Sequence, residues 1–290
     1  MDYPIKGFIE TSFSDWPGKV VAVLFLPSCN FRCHYCHNHE LVLLPEKYPN
    51  FPLEEILQSL RERNGWIDGI CLTGGEPTLH PWLPSLIHEV KSALEMTAAG
   101  GSVGIKLDTN GTHPEVLQKL IDEDLLDYVA MDLKGPLQVH RYAAIAGIPL
   151  DAGWLARIHR SIQILLTGKV DHEFRTTLVP SLIEEEEIYT LARQVRGARR
   201  YTLQNFNPRN PMDEDLRKVA PFDDRALQRM QNRVNEIIKK EISGCELHVA
   251  SYKGKSCWCQ IAEFSVMWPG VPRPGGQGAS LGVMRHWSFH

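Results

Sequence analysis

The sequence predicts an α/β protein built from parallel βαβ units that close into a partial six-unit (β/α) barrel, similar to a TIM barrel. From residue 20 to about 250, short apolar runs alternate with longer segments of helical pattern, and this alternation is typical of parallel βαβ units. Unusual polar residues stand at the ends of the apolar runs, where parallel α/β folds gather their sites. A flat, doubly wound sheet is the second arrangement that the alternation allows.

The apolar runs define the predicted strands. The first, "VVAVLFLP", is nearly continuous, as in a strand that is buried on both faces. Five later runs have the same style and end near Gly, Pro or Asn, which favour turns. The predicted strands are 20–27, 69–77, 103–111, 128–135, 173–180 and 201–208.

Helical segments separate these strands, and Pro81, Pro114 and Pro221 stand at three of their starts, a position that proline favours. After about residue 252 no periodicity persists, and "WPGVPRPGGQG" is rich in Pro and Gly. We therefore expect one domain over residues 1–250 and an irregular, partly disordered tail over 251–290. The predicted helices are 53–64, 82–98, 114–124, 151–168, 184–196 and 222–240.

Composition excludes several classes of function. With 290 residues, of which 43% are hydrophobic, the chain can bury a full core. Its net charge of −4 offers no basic field to nucleic acid or to an acidic membrane. No run of eighteen apolar residues and no signal-peptide pattern are present. We expect a soluble, cytoplasmic protein without a nucleic-acid or membrane partner, in which clustered cysteines indicate metal binding or chemistry.

Cys29, Cys33 and Cys36 form a C-x3-C-x2-C pattern in the loop that follows the first strand. A structural zinc site needs four ligands, and a histidine of the same loop could supply the fourth. A [4Fe-4S] cluster also takes four cysteines as a rule, so three would leave one iron open to a cofactor. Zinc modules usually divide their ligands between two distant knuckles. One loop at the predicted barrel mouth therefore favours the reactive cluster.

The polar strand ends "TGGEP", "DTNG" and "DLKG" are the next candidates for a site. Each has an ordinary structural interpretation as well. Paired glycines such as Gly74 and Gly75 are typical of a tight turn. Glu76 could simply place a favourable negative charge at a helix start. Asp108 could use its side chain to cap the Asn-Gly turn that follows it. Their common position at the predicted mouth favours one shared site.

Together these motifs resemble the radical S-adenosyl-L-methionine (SAM) superfamily. Its mark is C-x3-C-x-aromatic-C, with Tyr35 in the aromatic position, and "TGGEP" is similar to its GGE motif, which meets the amino group of SAM. The resemblance implies a radical SAM barrel in which Cys29, Cys33 and Cys36 hold a [4Fe-4S] cluster. It implies that SAM chelates the open iron and that its 5′-deoxyadenosyl radical is the reactive group, so that no side chain is itself catalytic.

Within the superfamily, "FIETSFSDWPGKVVAVLFLPSCNFRCHYCHN" resembles the opening of glycyl-radical enzyme activating enzymes. The similarity is greatest to activators of anaerobic ribonucleoside-triphosphate reductase, and pyruvate formate-lyase activating enzyme is related. This implies an anaerobic oxidoreductase that abstracts a glycine Cα hydrogen from a partner enzyme, with flavodoxin or ferredoxin as electron donor. A small-molecule or peptide substrate, as in 7-carboxy-7-deazaguanine synthase, is the alternative. A zinc-held adaptor without catalysis is the alternative from another class.

The strand ends carry the resemblance to the pyruvate formate-lyase activator further. There, the aspartates corresponding to Asp108 and Asp132 also help to hold a monovalent cation, which the resemblance therefore implies as a third cofactor. The resemblance implies a SAM pocket made of Tyr35, Gly74, Gly75, Glu76, Asp108, Asn110, Asp132, Lys134 and Arg175.

This sequence departs from the pyruvate formate-lyase activator at one position near SAM. That enzyme has a histidine on a late strand, whereas "YTLQNFNP" offers Gln204 and Asn205 here. No ferredoxin-like insert is present, so a single cluster is expected in the core. The cysteines and histidine near the C-terminus suggest a second metal site, although their spacing matches no known motif. These residues are Cys245, His248, Cys257 and Cys259.

Overall fold

The computed structural model describes residues 3–63, 65–95, 103–239 and the backbone of 266–267. Its strands form one sheet in the order β7-β6-β5-β4-β3-β2-β1-β8, and β2 to β7 run parallel. Each parallel strand lies beside its neighbour in the sequence, without the reversal of order that defines a doubly wound sheet. The strands are β1 Gly7–Ser12, β2 Val21–Leu26, β3 Gly69–Gly74, β4 Gly104–Thr109, β5 Tyr128–Asp132, β6 Asp171–Leu178, β7 Tyr201–Asn205 and β8 Val266–Met267.

The partial barrel predicted from the sequence is confirmed, and the six predicted strands correspond to β2 to β7. The six predicted helices are also present among the described residues. Four strands or α-helices of the described residues were not predicted: β1, which pairs antiparallel with β2, β8, which pairs with β1, and two short helices over 39–43 and 139–146. The helices are α1 His39–Leu43, α2 Leu53–Glu62, α3 Leu83–Glu95, α4 Pro114–Asp122, α5 Val139–Ala146, α6 Ala152–Leu166, α7 Glu185–Gln194 and α8 Asp224–Lys239.

The predicted tail over 251–290 lies outside the described residues, except that β8 pairs antiparallel with β1. The suggested second metal site near the C-terminus also lies outside them. Within the described part of the chain, no helix combines the length and the apolar character that crossing a bilayer requires.

The segment before β2 closes the amino-terminal end of the barrel. Trp16 is buried there and packs against Tyr128, with ring centroids 5.6 Å apart. The first residues of β3 and β4 are glycines, and a Cβ atom on Gly69 or Gly104 would lie 2.8 or 3.1 Å from the Trp16 ring. Trp16 therefore forms a floor beneath the strands. Asp15, its neighbour, lines the cavity above this floor.

Candidate active site

A cavity of about 210 Å³ lies at the carboxyl ends of the parallel strands. Strands β2 to β7 all contribute to its walls, and the loop after β2 covers one side. The structure places every predicted cluster and SAM residue around this one cavity. Gln204 and Asn205, which stand where the related activator has a histidine, also line it.

The loop with the three cysteines lies directly on the turn that follows β3. The backbone N–H of Glu76 donates to the Ser28 carbonyl oxygen over 2.8 Å. Gly74 has φ +112°, a conformation that favours glycine. A Cβ on Gly75 would lie 1.7 Å from the Ser28 oxygen, so no other residue fits this contact. The paired glycines thus allow the cluster loop and the β3 turn to approach closely.

The other side of the cluster loop packs on α5. Phe31 is buried between Tyr142 and Trp154, with ring centroids 6.1 and 6.0 Å away. The backbone N–H of Arg32 donates to the Ala146 carbonyl oxygen over 2.8 Å. Gly147 ends α5 with φ +70°, and a Cβ on it would lie 1.9 Å from the Arg32 oxygen. The unpredicted α5 is therefore part of the support of the site.

Two glycine variants separate this loop contact from backbone strain. Gly168 has φ +73°, and a Cβ added to it would have no neighbouring atom within 4 Å, so Gly168→Ala should cost only the strain, about 1 kcal/mol. Gly147→Ala adds a clash with the cluster loop and should cost about 3 kcal/mol in all. Urea unfolding of the iron-free proteins measures both. Equal losses in the two variants would contradict the close contact.

Cys33 is buried and Cys29 and Cys36 are half-buried, which shapes the chemistry of their thiols. Burial raises the pKa of Cys29 and of Cys36 to about 12, and it also raises the pKa of Cys33. These thiols are neutral on their own, and a bound metal would supply the positive charge that makes them thiolates. Among the described residues, no three His, Cys, Asp or Glu side chains are arranged around a single ion. In a cubane the three thiolates would bind separate irons, so they need not converge on one ion.

The three histidines of the loop have different surroundings. His34 Nδ1 lies 3.6 Å from Asp213 Oδ2, and the Asp213 N–H donates to the His34 carbonyl oxygen over 2.8 Å. His39 begins α1, and its Nε2 is buried without a hydrogen-bond partner among the described residues. His37 lines the cavity.

Tyr35, the aromatic residue of the cysteine motif, forms part of the cavity wall. Its hydroxyl is buried and makes no hydrogen bond with any described residue. The Lys134 ammonium group lies 5.9 Å from the centroid of its ring. A buried hydroxyl without a partner is costly unless a bound group satisfies it. Tyr35 is thus suited to contact a cofactor in the cavity.

The Glu76 carboxylate is buried, and both of its oxygens accept hydrogen bonds from protein donors. Its Oε1 accepts from the Thr109 hydroxyl over 2.7 Å and from the Thr78 N–H over 3.1 Å, and its Oε2 accepts from the Asn110 N–H over 2.6 Å. Burial raises the pKa of Glu76, although these hydrogen bonds act against the shift. The side chain therefore joins the turn after β3 to the turn after β4.

Asn110 extends this connection to the cluster loop. Its side-chain amide donates to Asn30 Oδ1 over 2.8 Å, and Asn30 Nδ2 donates to the Thr112 hydroxyl over 2.8 Å. Asn110 Nδ2 also lies 3.8 Å from Cys29 Sγ. Sequence reasoning missed Asn30 and Thr112, whose types are common in turns and carry no separate signal.

Acidic and basic side chains alternate across the interior of β4, β5 and β6. The Lys106 ammonium group binds Asp108 Oδ1, and Arg175 Nη2 lies 3.2 Å from Asp108 Oδ2. Arg175 Nε donates to Asp132 Oδ1 over 2.8 Å, and Lys134 Nζ donates to Asp132 Oδ2 over 3.2 Å. Sequence reasoning missed Lys106, although the K-x-D spacing in "IKLD" places it on the same strand face as Asp108.

Neighbouring charges in this series shift the pKa values of Asp132 and Lys106. Burial alone would raise the pKa of Asp132, but Arg175 and Lys134 outweigh it and lower that pKa to about 2. Burial lowers the pKa of Lys106, and Asp108 more than reverses the effect. Asp15 approaches the series from the floor, and burial raises its pKa. The cavity thus presents fixed positive and negative charges, as a zwitterionic ligand requires.

Comparison with known proteins shows which protein family the chain belongs to. The model of the Radical SAM superfamily matches residues 23–165. A Methanocaldococcus jannaschii protein, named as a putative glycyl-radical enzyme activating enzyme, is 31% identical over 245 residues, which are 83% of this chain and 97% of the relative. The chain therefore belongs to the radical SAM superfamily, whose enzymes use a [4Fe-4S] cluster and SAM. Within it, the chain falls in the group of glycyl-radical enzyme activating enzymes.

Other relatives match over shorter parts of their length. Pyruvate formate-lyase-activating enzyme of Staphylococcus aureus is 33% identical over 139 residues, which are 44% of this chain and 55% of that enzyme. A radical SAM methyltransferase from Sphaerobacter thermophilus has a TM-score of 0.57 at 16% identity, over 78% of this chain and 66% of that one. Streptococcus suis SuiB has a TM-score of 0.53 at 15% identity, over 75% of this chain and 49% of that one. These structures support the fold.

The residues present fit the cofactors of the family. Three thiols, one buried and two half-buried, share one loop, and a buried hydroxyl without a partner among the described residues stands beside them. The glycines of the β3 turn allow this loop to lie directly against the strand end. The fixed charges deeper in the cavity suit the amino and carboxylate groups of SAM. Cys29, Cys33 and Cys36 are thus the candidate cluster ligands, and the strand ends are the candidate SAM pocket.

Proposed function

We propose that this protein activates a glycyl radical enzyme, and that its partner is an anaerobic ribonucleoside-triphosphate reductase. The observation that carries the proposal is the similarity to the M. jannaschii activating enzyme over 97% of that relative. The opening segment, with D-x-P-G before β2 and C-N-F-R-C-H-Y-C-H-N after it, supports the choice of partner. Flavodoxin or ferredoxin is the proposed electron donor, and the cytoplasm the proposed location.

When bound, the cluster and SAM supply one-electron chemistry, namely reductive cleavage of a carbon–sulfur bond and abstraction of a hydrogen atom. Cys29, Cys33 and Cys36 would hold the cluster through three irons. Gly74 and Gly75 allow the cysteine loop to lie directly on the β3 turn, which would hold the cluster beside the strand ends. The remaining residues orient the ligand.

The charged strand ends would bind the two ends of the amino acid part of SAM. Asp108 and Asp132 present carboxylates that attract an ammonium group, whereas Lys134 and Arg175 present donors to a carboxylate. Tyr35 offers its hydroxyl from the wall, and Asn110 holds the turn beside Cys29.

The test is electron paramagnetic resonance of a candidate reductase after incubation with reduced, reconstituted protein and SAM. We expect a doublet from the partner's glycine, and the doublet should collapse to a singlet when the partner carries glycine deuterated at Cα. Deuterium should then appear in 5′-deoxyadenosine. The matched control is a partner whose radical glycine is replaced by alanine, which should give no signal.

The outcomes separate the proposal from its alternatives. Formation of 5′-deoxyadenosine without a doublet would contradict the proposed partner and favour a small-molecule or peptide substrate. A colourless, zinc-containing protein without SAM cleavage would contradict the radical chemistry altogether.

A further inference from the structure

On the side away from the β3 turn, the cysteine loop is flanked by α5 and α6, which belong to a basic part of the chain. Residues 135–170 contain a single acidic residue, Asp151, although the whole chain has a net charge of −4. Asp151 is the N-cap of α6, and its side chain accepts from the Trp154 N–H over 3.1 Å. The segment therefore carries a net positive charge, from Arg141, Arg157, Arg160 and Lys169.

The first half of α6 extends beyond the carboxyl ends of the strands. Ser161, in the middle of this helix, donates to the carbonyl oxygen of Gly111, which follows β4, over 2.7 Å. Because α6 leads on to the start of β6, the residues before Ser161 lie above the strand ends. Trp154, in the first turn, packs against Phe31 with ring centroids 6.0 Å apart. The first half of α6 is therefore a neighbour of the cysteine loop.

Three arginines on this side have no acidic partner among the described residues. Arg157 and Arg160 are exposed on α6, and the guanidinium carbon of Arg157 lies 4.5 Å from the centroid of the Trp154 ring. Arg32 is half-buried in the cysteine loop, and its Nη1 donates to the Cys29 carbonyl oxygen over 2.6 Å. We name Arg32, Trp154, Arg157 and Arg160 the basic face.

The basic face lies beside the cysteines but outside the cavity. Cys29 and Phe31 line the cavity, whereas Arg32 and the residues of α6 are absent from its described walls. A protein bound to this face would approach the cysteine loop without entering the space for SAM. The glycine of a glycyl radical enzyme must instead enter that space, so this face does not suit it.

We propose that the basic face is the docking site of a reduced flavodoxin, which acts as the electron donor of the cluster. This inference rests on the proposed function only in taking the cluster as present. One electron passes from the flavin hydroquinone to the cluster, so that the flavin is oxidised and the cluster is reduced by one electron each. No atom is transferred.

Charge and surface character support this choice of partner. Flavodoxins carry acidic residues around the exposed edge of their flavin, and three arginines without acidic partners complement such a surface. The Trp154 ring offers the flavin edge an aromatic surface between these charges. Electron-transfer complexes have small interfaces that charges steer, so a face of this size is sufficient.

Isothermal titration calorimetry of flavodoxin with the anaerobically reconstituted protein tests the docking site. In the double variant Arg157→Glu, Arg160→Glu, two attractive charges become repulsive, and the affinity at low ionic strength should fall at least about tenfold. The loss should shrink in about 0.5 M salt, which screens exposed charges. The variant Arg157→Lys, Arg160→Lys keeps both charges and should bind within about threefold of the unmodified protein.

A double variant on another helix controls for net charge. Arg225 and Arg229 are exposed on α8, which packs against α7 and β7. Arg225→Glu with Arg229→Glu changes the charge of the protein by the same amount as the α6 glutamate variant. It should bind flavodoxin as the unmodified protein does.

A change of reductant separates docking from damage to the site. With limiting flavodoxin hydroquinone, the α6 glutamate variant should cleave SAM at least about tenfold more slowly than the unmodified protein. Dithionite is a small reductant that needs no docking surface. With dithionite, SAM cleavage and iron content should stay within about twofold of the unmodified protein, because both arginines are exposed.

Three results would overturn the inference. One is the same flavodoxin affinity in the α6 glutamate variant and in the α8 control. Another is loss of iron or of dithionite-driven SAM cleavage in the α6 variant, which would make α6 a support of the cluster alone. The third is a lost glycyl radical at full dithionite-driven SAM cleavage, which would assign the face to the partner enzyme. Failure of the proposed partner is distinct, since flavodoxin would bind and drive SAM cleavage as expected while no partner acquired a radical.

Discussion

Cys33→Ala is expected to leave the anaerobically reconstituted protein without iron. Cys33 is buried and lies between the other two cysteines in sequence. Without it, only two protein thiolates would remain for a cubane that already has one iron without a protein ligand. Iron should fall from about four atoms per chain to a trace, with loss of the broad absorption shoulder near roughly 400 nm. Iron analysis and absorption spectra measure the effect.

Cys71→Ala is the matched control, because this cysteine is also buried but lies on β3 beside Lys106, away from the cysteine loop in sequence. Lys106 Nζ is 3.7 Å from its sulfur. Cys71→Ala should retain its iron. Normal iron content in Cys33→Ala, or its loss in Cys71→Ala alone, would contradict the assignment of the ligands.

Lys106→Met is expected to destabilise the protein by about 3–5 kcal/mol, because it leaves the Asp108 carboxylate without its nearest positive partner in a buried site. Methionine has a similar length and keeps the packing, so the loss reports the charge and not a cavity. Urea unfolding of the iron-free protein at pH 7 measures the free energy of unfolding. Lys119→Met, which removes an exposed pair with Glu123, should cost less than about 1 kcal/mol.

A double variant tests the physical cause. Asp108→Asn removes the charge that Lys106 balances, so in the Lys106→Met background it should cost much less than it does alone, and it should even recover stability. Arg175 keeps Asp132 as its partner in that variant. Additive losses for the two substitutions, or a Lys106→Met loss as small as that of Lys119→Met, would contradict the buried ion pair.

The sequence carries strong signals for the parallel strands and the cysteine loop. β2 is a continuous apolar run, and such a run is enough to predict a strand that is buried on both faces. α1 and α5 were not predicted because they have five and eight residues, too few for an apolar periodicity to be distinct. β1 alternates poorly, with an irregular register between Ile9 and Ser12.

The site could be predicted only where a motif fixes the spacing. The residues of the motifs and strand ends line one cavity, and their roles remain predictions that the variants above examine. Glu76 shows what a motif leaves out, since its carboxylate bonds to Thr109 and Asn110, which are more than thirty residues away in sequence. Asp15 reaches the cavity from the floor, and no local pattern in the sequence reveals such an approach.

The supports of the cysteine loop have a consequence for biogenesis. The loop is made early in translation, yet its shape depends on Gly75, on Asn110 and on the end of α5 at Gly147. A nascent chain that ends before these segments has its three cysteines but no scaffold to space them. The spacing of the three cysteines is therefore set only once the chain has been made through Gly147, so a cluster site built on them would form after the first half of the barrel.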